Sequence, residues 1–319
     1  MTRQRIPDDV LSAAHARSRA RADRDWPEAD RLRGEIEAAG WKVVDRGTDF
    51  ALSPASHSDL AEDDRTRYGS SRNVPSRLAD PPAGLATIML IATDWPGDLD
   101  RALDGLHRSM PAGTTVVVVA NAPSAEQETA LMALAERASS ETEMVWTNDR
   151  LGHAAASNVG LRRASGSIAV LLDTSIEPTG DFVTPLVHAL DDPTVAVAGG
   201  WGIVSADLRH FVAAPPGEVD AIEGYCVAFR RSDYAERGPL DERFTFYRNL
   251  DIWWSLVLRD GGEAEQVRRA VSLEGLPLLR HEHRGYTSLP EAERDRLSKR
   301  NFYRILDRFG SRRDLLVGG

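Results

Sequence analysis

Asp173 is the residue around which a chemical reading of this sequence gathers. It follows the apolar run Ile168 to Leu172. An acid just past the carboxyl end of a buried strand is where open α/β sheets place ligand chemistry. Two other strand-like runs end in polar residues, at Ala92-Thr93-Asp94 and Ala120-Asn121-Ala122. A turn with Asn148, Asp149 and Gly152 leads into a small-residue helix bearing Asn158 and Gly160. Asp251 opens an apolar run to Leu258, a place where Asp commonly caps a helix. His281 and His283 stand two apart, so on an extended segment they point the same way. Arg284, beside them, has the fork to hold a phosphate through two hydrogen bonds. Each also has an ordinary alternative. Asp94 and Asp173 sit where turn formers sit, and Gly152 and Gly160 suit helix ends and close packing.

The elements that must position these groups alternate. Leu85 to Ala92, Thr114 to Ala120, a run beginning at Met144, and Ile168 to Leu172 read as strands. Leu99 to Met110, Ala125 to Ala138 and Ala154 to Ala164 read as helices between them. That order predicts an α/β fold with a mostly parallel sheet and helices on both faces. Right-handed crossovers bring the strand ends to one edge. Ile222 to Arg231 reads as a further strand, and Phe302, Ile305, Leu306 and Phe309 form an apolar stripe on a C-terminal helix. That helix is expected to serve packing or homo-oligomerisation.

The stretch WTNDRLGHAAASNVGLRRASGSIAVLLDTSIEP resembles the central region of family 2 glycosyltransferases through Gly152, Ala154, Ala156, Asn158, Gly160, Ala164, Gly166 and Asp173. GPLDERFTFYRNLDIWWSLVLRDGG resembles their acceptor-side pattern through Gly238, Asp241, Glu242, Phe244, Tyr247, Asn249, Asp251, Arg259 and Gly261. The resemblance spans about residues 85–288 and implies the Rossmann-like GT-A fold. It implies a nucleoside-diphosphate sugar donor and a glycan or small-molecule acceptor. It places Thr93, Asp94, Asn121, Asn148, Gly152, Asn158, Asp173 and Arg284 at the donor. It makes Asp251 the general base for the acceptor hydroxyl, on the face that gives inversion. It puts a divalent ion, Mn or Mg, on Asp173 and His283, since hard cations prefer carboxylate and phosphate oxygens. Two expected acids are replaced, by Ser175 and Asn249, with Glu177 the nearest substitute for the first. Loss of those acids keeps a noncatalytic nucleotide-sugar-binding or scaffold protein as the alternative. Trp201, Trp253 and Trp254 suit either sugar stacking or the core.

Residues 1–55 read as a separate module of two helices and a short hairpin. Val10, Leu11 and Ala14 form one face, and Ala29, Leu32 and Ile36 another. The segment resembles the C-terminal end of cysteinyl-tRNA synthetases through Ala16, Arg17, Arg24, Asp25, Trp26, Ala29, Asp30, Leu32, Arg33, Gly40, Val43, Asp45 and Phe50. That resemblance raises an RNA-associated role, but acids interleave with its arginines and a docking or packing element is the preferred reading. Residues 56–83 are polar and expected to be a linker. Residues 84–288 are expected as the transferase domain and 289–319 as a helical tail. The net charge of −10 argues against broad affinity for nucleic acid or anionic membrane. The single Cys226 excludes an internal disulfide and a cysteine zinc cluster. With no apolar run long enough to span a bilayer and no leader-like N-terminus, a cytoplasmic location is expected.

Overall fold

The computed structural model describes residues 6–46, 49–54, 58–62, 65–137, 141–261 and 266–317. The chain divides into two compact units, Met1–Leu60 and Ala61–Gly319. Among the described residues no helix is long and apolar enough to cross a membrane.

The first unit is a pair of helices, Asp8–Ala22 and Trp26–Ala38, followed by the antiparallel strands Trp41–Arg46 and Asp49–Pro54. Asp25 caps the second helix, accepting from the Glu28 amide at 3.2 Å, with Pro27 in the first turn. Gly40, at φ +79°, supplies the left-handed step that ends it. Val10, Ala14, Ile36, Trp41 and Val43 make the core. Leu11, expected on this face, is exposed; Arg17 lies on it instead, its guanidinium on Asp45 at 2.7 and 3.2 Å. Val10, Ala14 and Arg17 keep the helical i, i+4, i+7 stripe, from which Leu11 is turned aside.

The second unit is built on a large mixed sheet. Its strands lie side by side in the order Gly217–Val219, Arg269–Ser272, Val195–Gly199, Cys226–Arg230, Ile168–Leu172, Ala86–Ala92, Thr114–Asn121, Thr142–Thr147 and Thr66–Tyr68. Ala86–Ala92 runs parallel to both Thr114–Asn121 and Ile168–Leu172, while Cys226–Arg230 is antiparallel to its neighbours. The β-branched run Thr114 to Val119 is buried on both faces, as parallel strands covered by helices must be. Leu99, Leu103 and Leu106 of the helix Pro96–Ser109 pack on one face with Ile88, Leu90, Val116 and Val118. Val159 and Leu161 of the helix His153–Arg163, and Trp254 of Leu250–Arg259, pack on the other with Met89, Val117 and Val119. Chain order reverses at Ala86–Ala92, whose two neighbours lead away in opposite directions, and this switch point opens a crevice at the carboxyl ends.

Two expectations are corrected here. Residues 56–83 are not an irregular linker throughout. Thr66–Tyr68 joins the sheet parallel to Thr142–Thr147, and Val74 is fully buried. Charged groups supply the order that apolar ones lack. Arg65 and Arg67 lie over the Trp146 ring at 4.7 and 5.1 Å, and the carbonyls of Val74, Arg77 and Asp80 are taken up by Arg162 and Arg231. The expected strand Ile222 to Arg231 is broken into Ala221–Ile222 and Cys226–Arg230, and the loop between them enters the site. Gly262 lies outside the described residues. The C-terminal helix Glu291–Phe309 buries Ile305 and Phe309 in the core that holds Trp253 and Trp254.

Candidate active site

At the switch point the crevice widens into an open cavity of about 1150 Å3. Thr93, Asp94, Asn121, Gly152, Asp173, Asp251, His283 and Arg284 all line it. Strand ends supply Thr93, Asp94, Asn121 and Asp173, the N-cap of the helix His153–Arg163 supplies Gly152, the start of the helix Leu250–Arg259 supplies Asp251, and the segment after the strand Leu278–Arg280 supplies the last two.

Asp173 divides its two oxygens between two tasks. Oδ1 accepts from the Ser175 amide at 2.8 Å and the Ser175 hydroxyl at 2.5 Å, closing the turn after the strand. Oδ2 lies 3.1 Å from His283 Nε2. Burial pushes the Asp173 carboxyl up, but His283 and the Ser175 bonds outweigh it and hold the group below the usual carboxylate range. Burial pulls His283 down, and Asp173 more than restores it, leaving it raised. Tyr247 stacks on the His283 ring at 4.6 Å and fixes its plane. Ser175, standing where an acid was expected, thus orients Asp173. Glu177, the other substitute, is held by His281 at 2.8 Å and does not line the cavity.

Asp251 is not the helix cap. Asn249 caps Leu250–Arg259 at φ 70°, a left-handed conformation that Asn tolerates far better than Glu. Its amide is tied to the Ser298 carbonyl at 3.0 Å. Asp251 is the second residue of the helix, within its first turn, its Oδ1 accepting from the Ile252 amide and its Oδ2 from the Gly224 amide, both at 2.9 Å. Burial still dominates and raises the Asp251 carboxyl above its ordinary value. An acid that is oriented, lines a cleft and resists ionisation has the properties of a general base. Trp95, at φ 61°, also lines the cleft, so strained backbone gathers around it.

The remaining expected residues divide. Asp94 is bound by Arg150 at 3.1 and 3.2 Å. Asn121 grips the Leu151 backbone from both ends of its amide, at 3.0 and 2.8 Å, and so shapes the donor side of the cleft. Asn148 and Asn158 do not line the cavity. Asn158 is fully buried and locks its helix to a distant loop. It donates to the Leu240 carbonyl and to Glu242, and accepts from the Tyr234 hydroxyl and the Leu240 amide, at 2.9 to 3.0 Å. Gly152 allows close approach of protein, since a Cβ there would stand 2.8 Å from Thr245 Cα. The first amides of that helix, at His153 and Ala154, donate to the Thr245 and Phe244 carbonyls, so they are spent on the fold. Trp253 and Trp254 are core; Trp201 packs edge-on against Tyr225.

Three groups escaped the sequence reading. Asp98, in the first turn of its helix, bridges Arg101 at 2.8 Å and Arg284 at 3.7 Å. Arg150 closes over Asp94. Glu223 lines the cleft beside Asp251. Only the acid near a helix start carried a local signal.

Among the described residues no three His, Cys, Asp or Glu side chains converge on a metal position. The Asp173–His283 pair nevertheless fits part of one. Neighbouring ligands of an octahedral ion at about 2.1 Å stand roughly 3.0 Å apart, and these two atoms are 3.1 Å apart. A hard ion held there would need further oxygens from its ligand.

The family description "Glycosyl transferase family 2" matches residues 89–238. The mannosyltransferase PcManGT from Pyrobaculum calidifontis, solved with GDP-Man and Mn2+, is 21% identical, covering 68% of this chain and 62% of its own at a TM-score of 0.50. GalNAc-T7, solved with UDP, GalNAc and Mn2+, is 14% identical, covering 72% and 48% at a TM-score of 0.56. The chain therefore spans under two thirds of either. The cysteine–tRNA ligase of Rubrobacter xylanophilus is 47% identical over 47 residues, 15% of this chain and 10% of the ligase. Residues 89–238 thus match the model of glycosyl transferase family 2, and the fold that carries this segment is GT-A.

Proposed function

We propose that this protein transfers a sugar from a nucleoside-diphosphate sugar to a hydroxyl group, with inversion at the anomeric carbon. The observation that carries this reading is the gathering of two sites in one cavity: Asp173 with His283, and Asp251. The sugar nucleotides and Mn2+ named with the two solved neighbours support it by analogy. Thr93, Asp94 and Asn121 face the donor, and Arg284 its diphosphate. Asp173 and His283 would hold Mn2+ or Mg2+ together with the diphosphate. The ion supplies positive charge against the leaving group.

Asp251 removes the acceptor hydroxyl proton. The oxygen bonds to the anomeric carbon as the bond to the diphosphate oxygen breaks, and the electron pair leaves with the nucleoside diphosphate. Attack opposite the leaving group inverts the centre. Gly152 shapes the cleft, whereas Asn148 and Asn158, which do not line it, have no direct part in this donor site. We read the first unit as a docking element appended to the transferase.

The test is a pair of variants. Asp251→Asn is expected to lower transfer by roughly two to four orders of magnitude with donor affinity unchanged. Asp173→Ala is expected to weaken donor binding. Normal turnover in Asp251→Asn rejects the base. Nucleotide binding by the wild type without transfer to any acceptor or to water establishes the noncatalytic alternative.

A further inference from the structure

The three-residue loop Glu223-Gly224-Tyr225 spans the cleft between its two halves. At one end the Tyr225 carbonyl accepts from the Asp173 amide at 3.0 Å; in the middle the Gly224 amide donates to Asp251 Oδ2 at 2.9 Å. The Glu223 amide donates to the Trp201 carbonyl at 2.8 Å, which anchors the loop. A Cβ added at Gly224 would stand 3.5 Å from Asp251, at ordinary van der Waals distance.

Glu223 lines this cavity, and the reaction as described gives it no task. Its side chain is about two-thirds shielded from solvent, at 31% exposure, yet neither carboxylate oxygen accepts a hydrogen bond among the described residues. The cation beside it, Arg280, is 3.9 Å away, beyond hydrogen-bond reach, and lies over the rings of Tyr225 and Trp201 at 4.6 and 5.9 Å. Burial first, and then the charge of Asp251, push the Glu223 carboxyl above its ordinary value, with Arg280 opposing. Asp251 meets Glu223 on one side, Arg248 on another, and the amides of Gly224 and Ile252. Two carboxylates that only accept hydrogen bonds thus share one wall of the cleft, and one of them has no donor. Such a wall repels phosphate and carboxylate ligands and attracts a ligand with several hydroxyl donors.

We propose that Glu223 is a substrate-binding residue of the acceptor site, accepting a hydrogen bond from a hydroxyl next to the one that Asp251 deprotonates. The acceptor then presents neighbouring hydroxyls, as a glycan end or another polyol does, at the point of transfer. This rests on the transferase reading above, and the experiment separates the two.

The full chain is compared with Glu223→Gln and with Glu223→Asp, which keeps the charge; thermal melts verify folding. Carboxyl-carbon NMR follows the titration of Asp251. Release of nucleoside diphosphate from UDP-glucose and GDP-mannose is measured with glycerol or 1-propanol as acceptor. In Glu223→Gln the Asp251 titration is expected to move down by about half a pH unit or more, and Glu223→Asp to restore most of it. The KM for glycerol is expected to rise about tenfold, as loss of one charged hydrogen bond implies. Donor affinity stays unchanged, and the KM for 1-propanol, which has no neighbouring hydroxyl, is expected to change less than that for glycerol. An unmoved Asp251 titration overturns the pairing of the carboxylates. A moved titration with an unchanged glycerol KM overturns the hydroxyl role. If the titration moves but the wild type releases no nucleotide from either donor, the transferase reading falls, and the acceptor role of Glu223 with it.

Discussion

Asn158→Ala separates a structural asparagine from a ligand-binding one. The side chain makes four hydrogen bonds, all with protein, to Tyr234, to both backbone groups of Leu240 and to Glu242. Truncation strands these partners in a site where Asn158 is 1% exposed. Each orphaned group costs about 1–3 kcal/mol, but Glu242 keeps Ser71 and the loop relaxes in part, so a total of about 3–5 kcal/mol is expected. For a unit of this size that corresponds to a fall in Tm of the order of 10 °C. Tyr234→Phe, which removes one bond, is expected to cost about 1 kcal/mol, and the double variant less than the sum. Urea unfolding gives the stability, and calorimetry with a sugar nucleotide on the still-folded protein gives the affinity. A loss below about 1 kcal/mol together with lost nucleotide binding would refute the structural role and return Asn158 to the donor.

Three further outcomes are expected. Because burial raises the Asp251 carboxyl, and a base must be deprotonated, kcat/KM should rise with pH through a limb above the ordinary Asp value of about 3.9. A limb at the ordinary value, or one that survives in Asp251→Asn, contradicts the assignment. Gly160→Ala should destabilise by about 1–3 kcal/mol in urea unfolding, since its Cβ would stand 2.0 Å from Met89 Sδ and 2.3 Å from Cγ. Without nucleotide, Mn2+ should bind more weakly than about 0.1 mM by calorimetry, as only two protein ligands are offered. Tight binding to the free protein contradicts that.

The strands were legible because short runs such as the β-branched Thr114 to Val119 and the apolar Ile168 to Leu172 have no comfortable alternative to burial in a sheet. Asp173, His283 and Asp251 were legible for a related reason: polar side chains at strand ends and helix starts face the crevice that the topology creates. Asn158 misled, and Gly152 lines the crevice yet also packs on a loop, since a small or amide residue facing the crevice cannot be told from one facing a loop. Their partners, Leu240 and Thr245, lie more than eighty residues on, and only the fold brings them together. The stretch 56–83 misled because its order comes from arginines on Trp146 and on backbone carbonyls, which composition counts as polar. Asn249 looked like a lost acid, but its left-handed backbone and its bond to Ser298 give it a local reason to be Asn. Glu223 had no signal, because its meaning comes from Asp251, on a different element.

The most direct measurement is a thermal-shift panel of the full chain with UDP-, GDP- and dTDP-sugars, with and without Mn2+. A ligand that binds only the native state raises its melting temperature, by about 2.7 kcal/mol of added stability at a hundredfold excess over Kd. The expected result is a shift with one nucleotide base, larger with Mn2+, lost in Asp173→Ala and kept in Asp251→Asn. No shift with any sugar nucleotide, or one that Asp173→Ala leaves untouched, would contradict the placing of the donor at Asp173 and His283.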